Sequence, residues 1–409
     1  MMKVFKYPVG KEGLGKVLAR SQLDLTSASK ASARILMDVK ARGDKALFYY
    51  TRRFDNFNLS KNNIRLSQAG IKKDLARVDK KLLQALRHAS KNIVKYHRKQ
   101  LSGLKKSWSI TVEAGVKVGE RILPIDSVGC YVPGGRASYP STVLMTCIPA
   151  KIAGVKRIVV ASPPPVSDAV IAACKICGVD EIYQIGGAQA IGALAYGTES
   201  IKRVSKIVGP GNKYVMAAKN MVYGTVDVDM PAGPSEVLII ADETTCPDFT
   251  LADLHAQAEH DPDAQCVLIT TSRKLLESVR KKAPRNSVGI LAGRINDCIE
   301  FANLYAPEHL QVMCKNASKI AGKIANAGAI FIGQYSPVAV GDYASGCNHV
   351  LPTGGAARFS SPLGVRDFLK ACSVQKVSEV GIKKLGTTIM TLAETEKLKK
   401  HKKSIEWRL

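Results

Sequence analysis

Chemistry-bearing side chains concentrate between residues 229 and 350 of this 409-residue chain. In Leu254-His255-Ala256-Gln257-Ala258-Glu259-His260, helical spacing puts Gln257 and His260 on one face and His255 and Glu259 on another. Both pairs have the atoms to hold a metal. For His255 and Glu259 the simpler expectation is a hydrogen bond at the helix surface. The HExxH spacing of a zinc peptidase is absent. Ala306-Pro307-Glu308-His309-Leu310 sets a carboxylate beside an imidazole in a short, otherwise apolar loop. Such a pair suits proton transfer near neutral pH, and a plain polar loop is the other account. The Gly- and Ser-containing loop from Val340 to His349 carries Asp342 and His349. Zinc accepts imidazole nitrogen and carboxylate oxygen, so Gln257, His260 and Asp342 make a partial shell. Ser235 and Glu236 stand just before a strand at the end of a Pro- and Gly-containing loop.

The elements that must position these residues follow from periodicity. Residues 24–104 read as helices, and Lys80 to Leu101 keeps helical apolar spacing without Gly or Pro. His88 and His97 fall among its charged positions and are expected to face solvent. Residues 105–125 alternate, as short strands of a small meander do. From about residue 126, short β-rich runs lead through Gly or Pro into helical patterns, which argues for parallel βαβ units. A second α/β unit runs from about 236 to 365, and the residues beyond it read as helical and Lys-rich. Gly186-Gly187 and Gly209-Pro210-Gly211 each precede a helix, whose amino end can cradle phosphate. Neither matches G-x-G-x-x-G, because Tyr214 holds the third position of the second turn. Chain turning alone accounts for them equally well.

Composition narrows the class. The apolar fraction of 46% supplies packed interiors, and the length favours two or more domains. No apolar run approaches a bilayer's thickness and no secretory or transit segment is visible, so a cytoplasmic protein without membrane contact is expected. The ten cysteines are scattered, as reduced intracellular thiols are. Cys174 and Cys177, the one close pair, lie at helical spacing and read as core, and Cys130, Cys147 and Cys347 read as packing. Net charge is +26, but the lysines are spread and no nucleic-acid-binding signature accompanies them. A solvated basic surface is expected, not a nucleic-acid partner.

Seven segments, in order and spacing over nearly the whole chain, closely resemble histidinol dehydrogenase. They are YVPGGRASYPSTVLM, IGGAQAIGALAYGT, VGPGNKYV, DMPAGPSEVLIIAD, QAEHDPDAQ, APEHL and GDYASGCNHVLPTGGAARFSSPLGV. The resemblance implies an α/β fold with two Rossmann-like domains of incomplete nucleotide fingerprint, two small domains, and an intertwined homodimer. The domains expected are 1–24 with 105–128 (small), 25–104 with 236–365 (zinc and catalytic residues), 129–235 (NAD contacts) and 366–409 (helical, reaching the partner). It implies zinc held by Gln257, His260, Asp342 and, from the partner subunit, a residue equivalent to His401. Glu308 and His309 are the implied acid–base pair. Ser235, Gln257, His260, His309, Asp342, His349, Glu396 and His401 are the implied substrate contacts. Tyr131, Gln189 and Asn212 are the implied NAD contacts. The implied reaction is two successive NAD-dependent oxidations of histidinol, through the aldehyde, to histidine, the last step of histidine biosynthesis.

Overall fold

The computed structural model describes residues 2–18, 25–104, 107–134, 138–179, 181–230, 233–260 and 262–409. Residues 19–24 and the motif residues 135–137 and 231–232 lie outside this description. Two parallel sheets and one small antiparallel sheet organise the chain. The six-stranded sheet runs Lys3–Lys6, Ser287–Leu291, Gln265–Thr270, Glu236–Ala241, His309–Val312, Ala329–Ile332, all parallel. Its central strand, EVLIIA, is buried throughout, as a parallel strand covered on both faces must be. Alternation sends Leu238 and Ile240 into one core and Val237, Ile239 and Ala241 into another.

The five-stranded sheet runs Glu181–Gln184, Arg157–Ser162, Ser127–Tyr131, Lys206–Val208, Asp227–Val228, again parallel. The expected core helix carrying Cys174 and Cys177 spans Asp168–Cys177 and packs on this sheet with both thiols buried. The helices expected to join 236–365 go elsewhere. Leu25–Arg42 and Asp44–Asp55 bury Leu36, Val39, Ala46 and Leu47 with the Gly187–Tyr196 and Lys213–Val222 helices on one face of the five-stranded sheet. Lys80–Ser102 packs with Pro140–Ala153 on the other face. The amino-terminal strand, expected beside 105–128, instead edges the six-stranded sheet against Ser287–Leu291. Helical periodicity reports that a face is apolar, not which sheet will cover it.

Three further expectations change. His97 is buried, not solvent-facing: it follows Ile93 by four residues and Leu86 by eleven, so it lies on the apolar stripe of its helix. Its Nδ1–H donates to the Ile93 carbonyl at 2.9 Å, and burial holds its pKa below the ordinary imidazole value. Cys347 is exposed in its loop and packs against no core. The carboxyl-terminal segment is not all helix: after the short 3-10 turn Val365–Phe368 comes the strand Leu369–Val377, antiparallel to Val116–Pro124, which in turn pairs with Ser107–Glu113. The helices Glu379–Thr395 and Lys399–Glu406 follow it. Among the described residues, no helix is long and apolar enough to cross a membrane.

Candidate active site

The catalytic candidates gather at the amino edge of the six-stranded sheet, where Glu236 and His309 open adjacent strands. The helix Ile295–Tyr305 ends at Ala306 with φ 49, and the chain turns through Pro307 and Glu308 into the His309 strand. Glu308 and His309 are therefore a strand entrance, not a free loop. Gly328 makes room for the turn, since a Cβ there would sit 2.6 Å from the Glu308 carbonyl.

Glu236 fixes both catalytic candidates. Its N–H donates to Glu308 Oε2 at 2.8 Å and its carbonyl accepts from His309 Nδ1 at 3.0 Å. Its own carboxylate, buried, accepts from the Gly354 N–H at 3.0 Å and ties down the loop after His349. A carbonyl only accepts, so His309 Nδ1 carries hydrogen and the neutral ring keeps its lone pair on Nε2. That Nε2 is buried without a hydrogen-bond partner, 3.8 Å from Asp342 Oδ1. Burial opposes the charged ring. Glu308, Asp342 and the Glu236 carbonyl together outweigh it and push His309 up to about 9. A cation at Asp342 would act in the opposite sense.

His260 and Asp342 converge, with Nε2 and Oδ2 3.9 Å apart. The helix Pro247–Ala258 stops just before His260, which stays on the Gln257 side through a turn: His260 N donates to the Gln257 carbonyl at 3.3 Å. Gln257 is buried, yet neither amide atom has a hydrogen-bond partner. Leaving such a group unpaired costs about 1–3 kcal/mol, so a missing ligand is the physical expectation. Among the described residues no three His, Cys, Asp or Glu side chains form a metal-holding group. The candidate donors are one imidazole, one carboxylate and one carboxamide, of which imidazole nitrogen and carboxylate oxygen fit zinc. His349 joins this cluster, its Nδ1–H donating to the Asp342 carbonyl at 2.8 Å, with burial pushing its pKa down. His255 takes no part: its Nε2 meets the Lys282 carbonyl at 2.8 Å.

Ser235 immediately precedes Glu236. Glu396 and His401 do not reach the cluster. They are exposed at the end of the Glu379–Thr395 helix and within Lys399–Glu406. The five-stranded sheet carries the other candidates at its carboxyl edge, where order reverses between the Ser127–Tyr131 and Lys206–Val208 strands. Open α/β sheets bind ligands at such a point. The Tyr131 hydroxyl accepts from the Gly187 N–H at 3.1 Å, and burial pushes its pKa up to about 12. Gln189, one turn into the same helix, has a buried Oε1 without a partner. Asn212 caps the next helix, its Oδ1 accepting from Tyr214 N at 3.0 Å and Val215 N at 3.1 Å. Gly209, at φ 116, lets the turn lie against the Tyr131 carbonyl, where any Cβ would clash. Both glycine turns therefore have structural duties beyond any phosphate.

At the carboxyl edge of the six-stranded sheet, Asp242 accepts from Thr244 N and from Lys315 N, both at 2.9 Å.

Glu236, which sequence reasoning left unassigned, is the residue that holds both Glu308 and His309. Its signal was an acidic residue opening an otherwise apolar strand. A family model described as histidinol dehydrogenase matches residues 18–409. The chain belongs to the histidinol dehydrogenase family. A histidinol dehydrogenase of Methanocaldococcus jannaschii is 46% identical over 98% of this chain and 96% of its own. One from Neisseria meningitidis is 44% identical over 97% of each. The crystal structure of histidinol dehydrogenase from Elizabethkingia anophelis superimposes with a TM-score of 0.90 at 39% identity, covering 100% of this chain and 98% of that one. The mixed α/β architecture with parallel sheets is thus that of a solved histidinol dehydrogenase.

Proposed function

We propose that this chain oxidises histidinol to histidine in two NAD-dependent steps, through the aldehyde, as the last step of histidine biosynthesis. The observation that carries the site assignment is the unpartnered Nε2 of His309 facing Asp342 beside His260. His309 takes the hydroxyl proton through Nε2 while the Glu236 carbonyl holds the ring in register. NAD, when bound, would supply the hydride acceptor for each step. Glu308, oriented by the Glu236 N–H, assists the water that hydrates the aldehyde before the second hydride leaves. Ser235 and His349, with Glu396 from a second copy of the chain, complete the substrate contacts, and Tyr131, Gln189 and Asn212 hold the dinucleotide. Gln257, His260 and Asp342 would hold zinc, which supplies positive charge to fix the substrate's imidazole and amino group. Chelation is expected to abolish NADH formation from histidinol, and added zinc to restore it at two NADH per histidinol. Absence of any turnover by zinc-loaded protein would exclude the reading.

The fourth ligand is His401 from a second copy of the chain. Support comes from the small antiparallel sheet and its two helices, which leave Trp108 and Ile110 exposed on one face of the sheet and Leu392 and Trp407 exposed on the helices. Apolar surface of this extent on one unit marks an association face. Mixing inactive His401→Ala and His309→Ala proteins is expected to regenerate activity, because a mixed dimer contains one intact site. No recovery in verified mixed dimers would rule out the shared site.

A further inference from the structure

The helix Asp44–Asp55 ends on a carboxylate with no evident structural duty. Asp55 Oδ2 is buried and has no hydrogen-bond partner, and Thr51 Oγ1, one turn earlier on the same helix, is also buried and unpaired. The helix packs with Gly187–Tyr196, whose first turn carries the Tyr131 hydroxyl on Gly187 N–H and the unpaired Gln189 Oε1. Asp55 is within electrostatic reach of Tyr131 and raises its pKa. Burial alone pushes Asp55 up to about 6, with no cation or donor opposing it. Two unpaired buried oxygens, Asp55 Oδ2 and Gln189 Oε1, thus sit on two helices that share one core with Tyr131 at the sheet's switch point. A fold does not retain such losses for stability, since each unpaired buried polar group is destabilising. Their geometry asks for a ligand that brings hydrogen-bond donors.

We propose that Asp55 binds the dinucleotide, accepting a hydrogen bond from an uncharged donor on its adenosine half, and that its charge excludes a phosphate from that place. The inference rests on the assignment of Tyr131 and Gln189 to the NAD site. The adenosine half follows because the nicotinamide must lie near His309, on the other sheet. A carboxylate facing a ribose hydroxyl is a recurring way to select NAD over its 2′-phosphorylated form. An adenine amine offers the same donor chemistry.

The test is calorimetric binding of NAD, NADP and the hypoxanthine analogue of NAD to the zinc-loaded protein and to Asp55→Ala, Asp55→Asn and Gln189→Ala. Asp55→Ala is expected to weaken NAD binding by roughly ten-fold or more, while its melting temperature stays level or rises because an unpaired buried oxygen is removed. Asp55→Asn keeps an acceptor and should recover part of the affinity while narrowing the gap between NAD and NADP. A ribose hydroxyl as donor predicts that the hypoxanthine analogue binds the wild-type chain like NAD. An adenine amine predicts that the analogue binds it as weakly as NAD binds Asp55→Ala. NAD affinity within two-fold of wild type in Asp55→Ala, with Gln189→Ala weakened, overturns the role of Asp55. Unchanged affinity in both variants overturns the NAD site itself. A lowered melting temperature in both Asp55 variants, with no rescue by Asn, assigns the residue to the fold and overturns the proposal.

Discussion

His309→Asn is expected to lower kcat for histidinol oxidation by about 10²- to 10⁴-fold, the usual contribution of a positioned general base. Asparagine is chosen because its amide N–H can replace the Nδ1–H that donates to the Glu236 carbonyl. The variant thus keeps the strand contact and loses only the Nε2 that faces Asp342. Histidinol affinity, measured by calorimetry on the zinc-loaded protein, should change far less than kcat, followed as NADH absorbance. A variant that retains a tenth of wild-type kcat would remove His309 from the proton-transfer role. His309→Ala would be less informative, because it also opens a cavity at a buried position.

The second large effect concerns stability. Lys219 and Asp229 form an ion pair with side chains 5% and 1% exposed. Lys219 Nζ also donates to the Gly209 carbonyl at 2.8 Å, and Gly209 N donates to Asp229 Oδ2 at 2.6 Å. The pair closes the glycine turn around Tyr131. Lys219→Met leaves Asp229 charged and uncompensated, and breaking a buried pair costs about 3–5 kcal/mol. Scanning calorimetry should show a melting temperature lower by roughly 5 °C. Adding Asp229→Asn should return much of the loss, since asparagine keeps an acceptor for Gly209 without the charge. A single variant that melts within a degree or two of wild type would show the pair to be energetically neutral.

Lys219 also marks the boundary of what sequence could reveal. Within KYVMAAKNMV it reads as the polar face of a helix, and only the return of Asp229 beside Gly209 makes it interior. Strand positions were legible because EVLIIA and QCVLIT are apolar beyond what one buried face needs. The pair Glu308 and His309 was legible because its members are adjacent. Gln257 and His260 were paired by helical spacing, although the helix ends at Ala258 and a turn carries His260. Glu236 was not, because its contribution to His309 and Glu308 is made through its main chain, which no residue type announces. The packing of residues 25–104 on the five-stranded sheet was not, because it is set by complementary faces distant along the chain. His97 was misread because Ile93, one turn back on the same helix, takes its Nδ1–H and lets a polar ring sit on the apolar stripe.

The two backbone bonds of Glu236 place the alignment of the reacting side chains out of reach of most point mutations. Substituting residue 236 alters the anchor of Gly354 but leaves the amide on Glu308 and the carbonyl under His309 where they are. Proline alone deletes the amide, and no residue deletes the carbonyl. Disrupting both together requires the His309–Val312 strand to slip against Glu236–Ala241, which would also turn Leu310 and Val312 out of their core. Drift at this position can therefore retune the neighbouring loop while the placement of Glu308 and His309 is inherited unchanged.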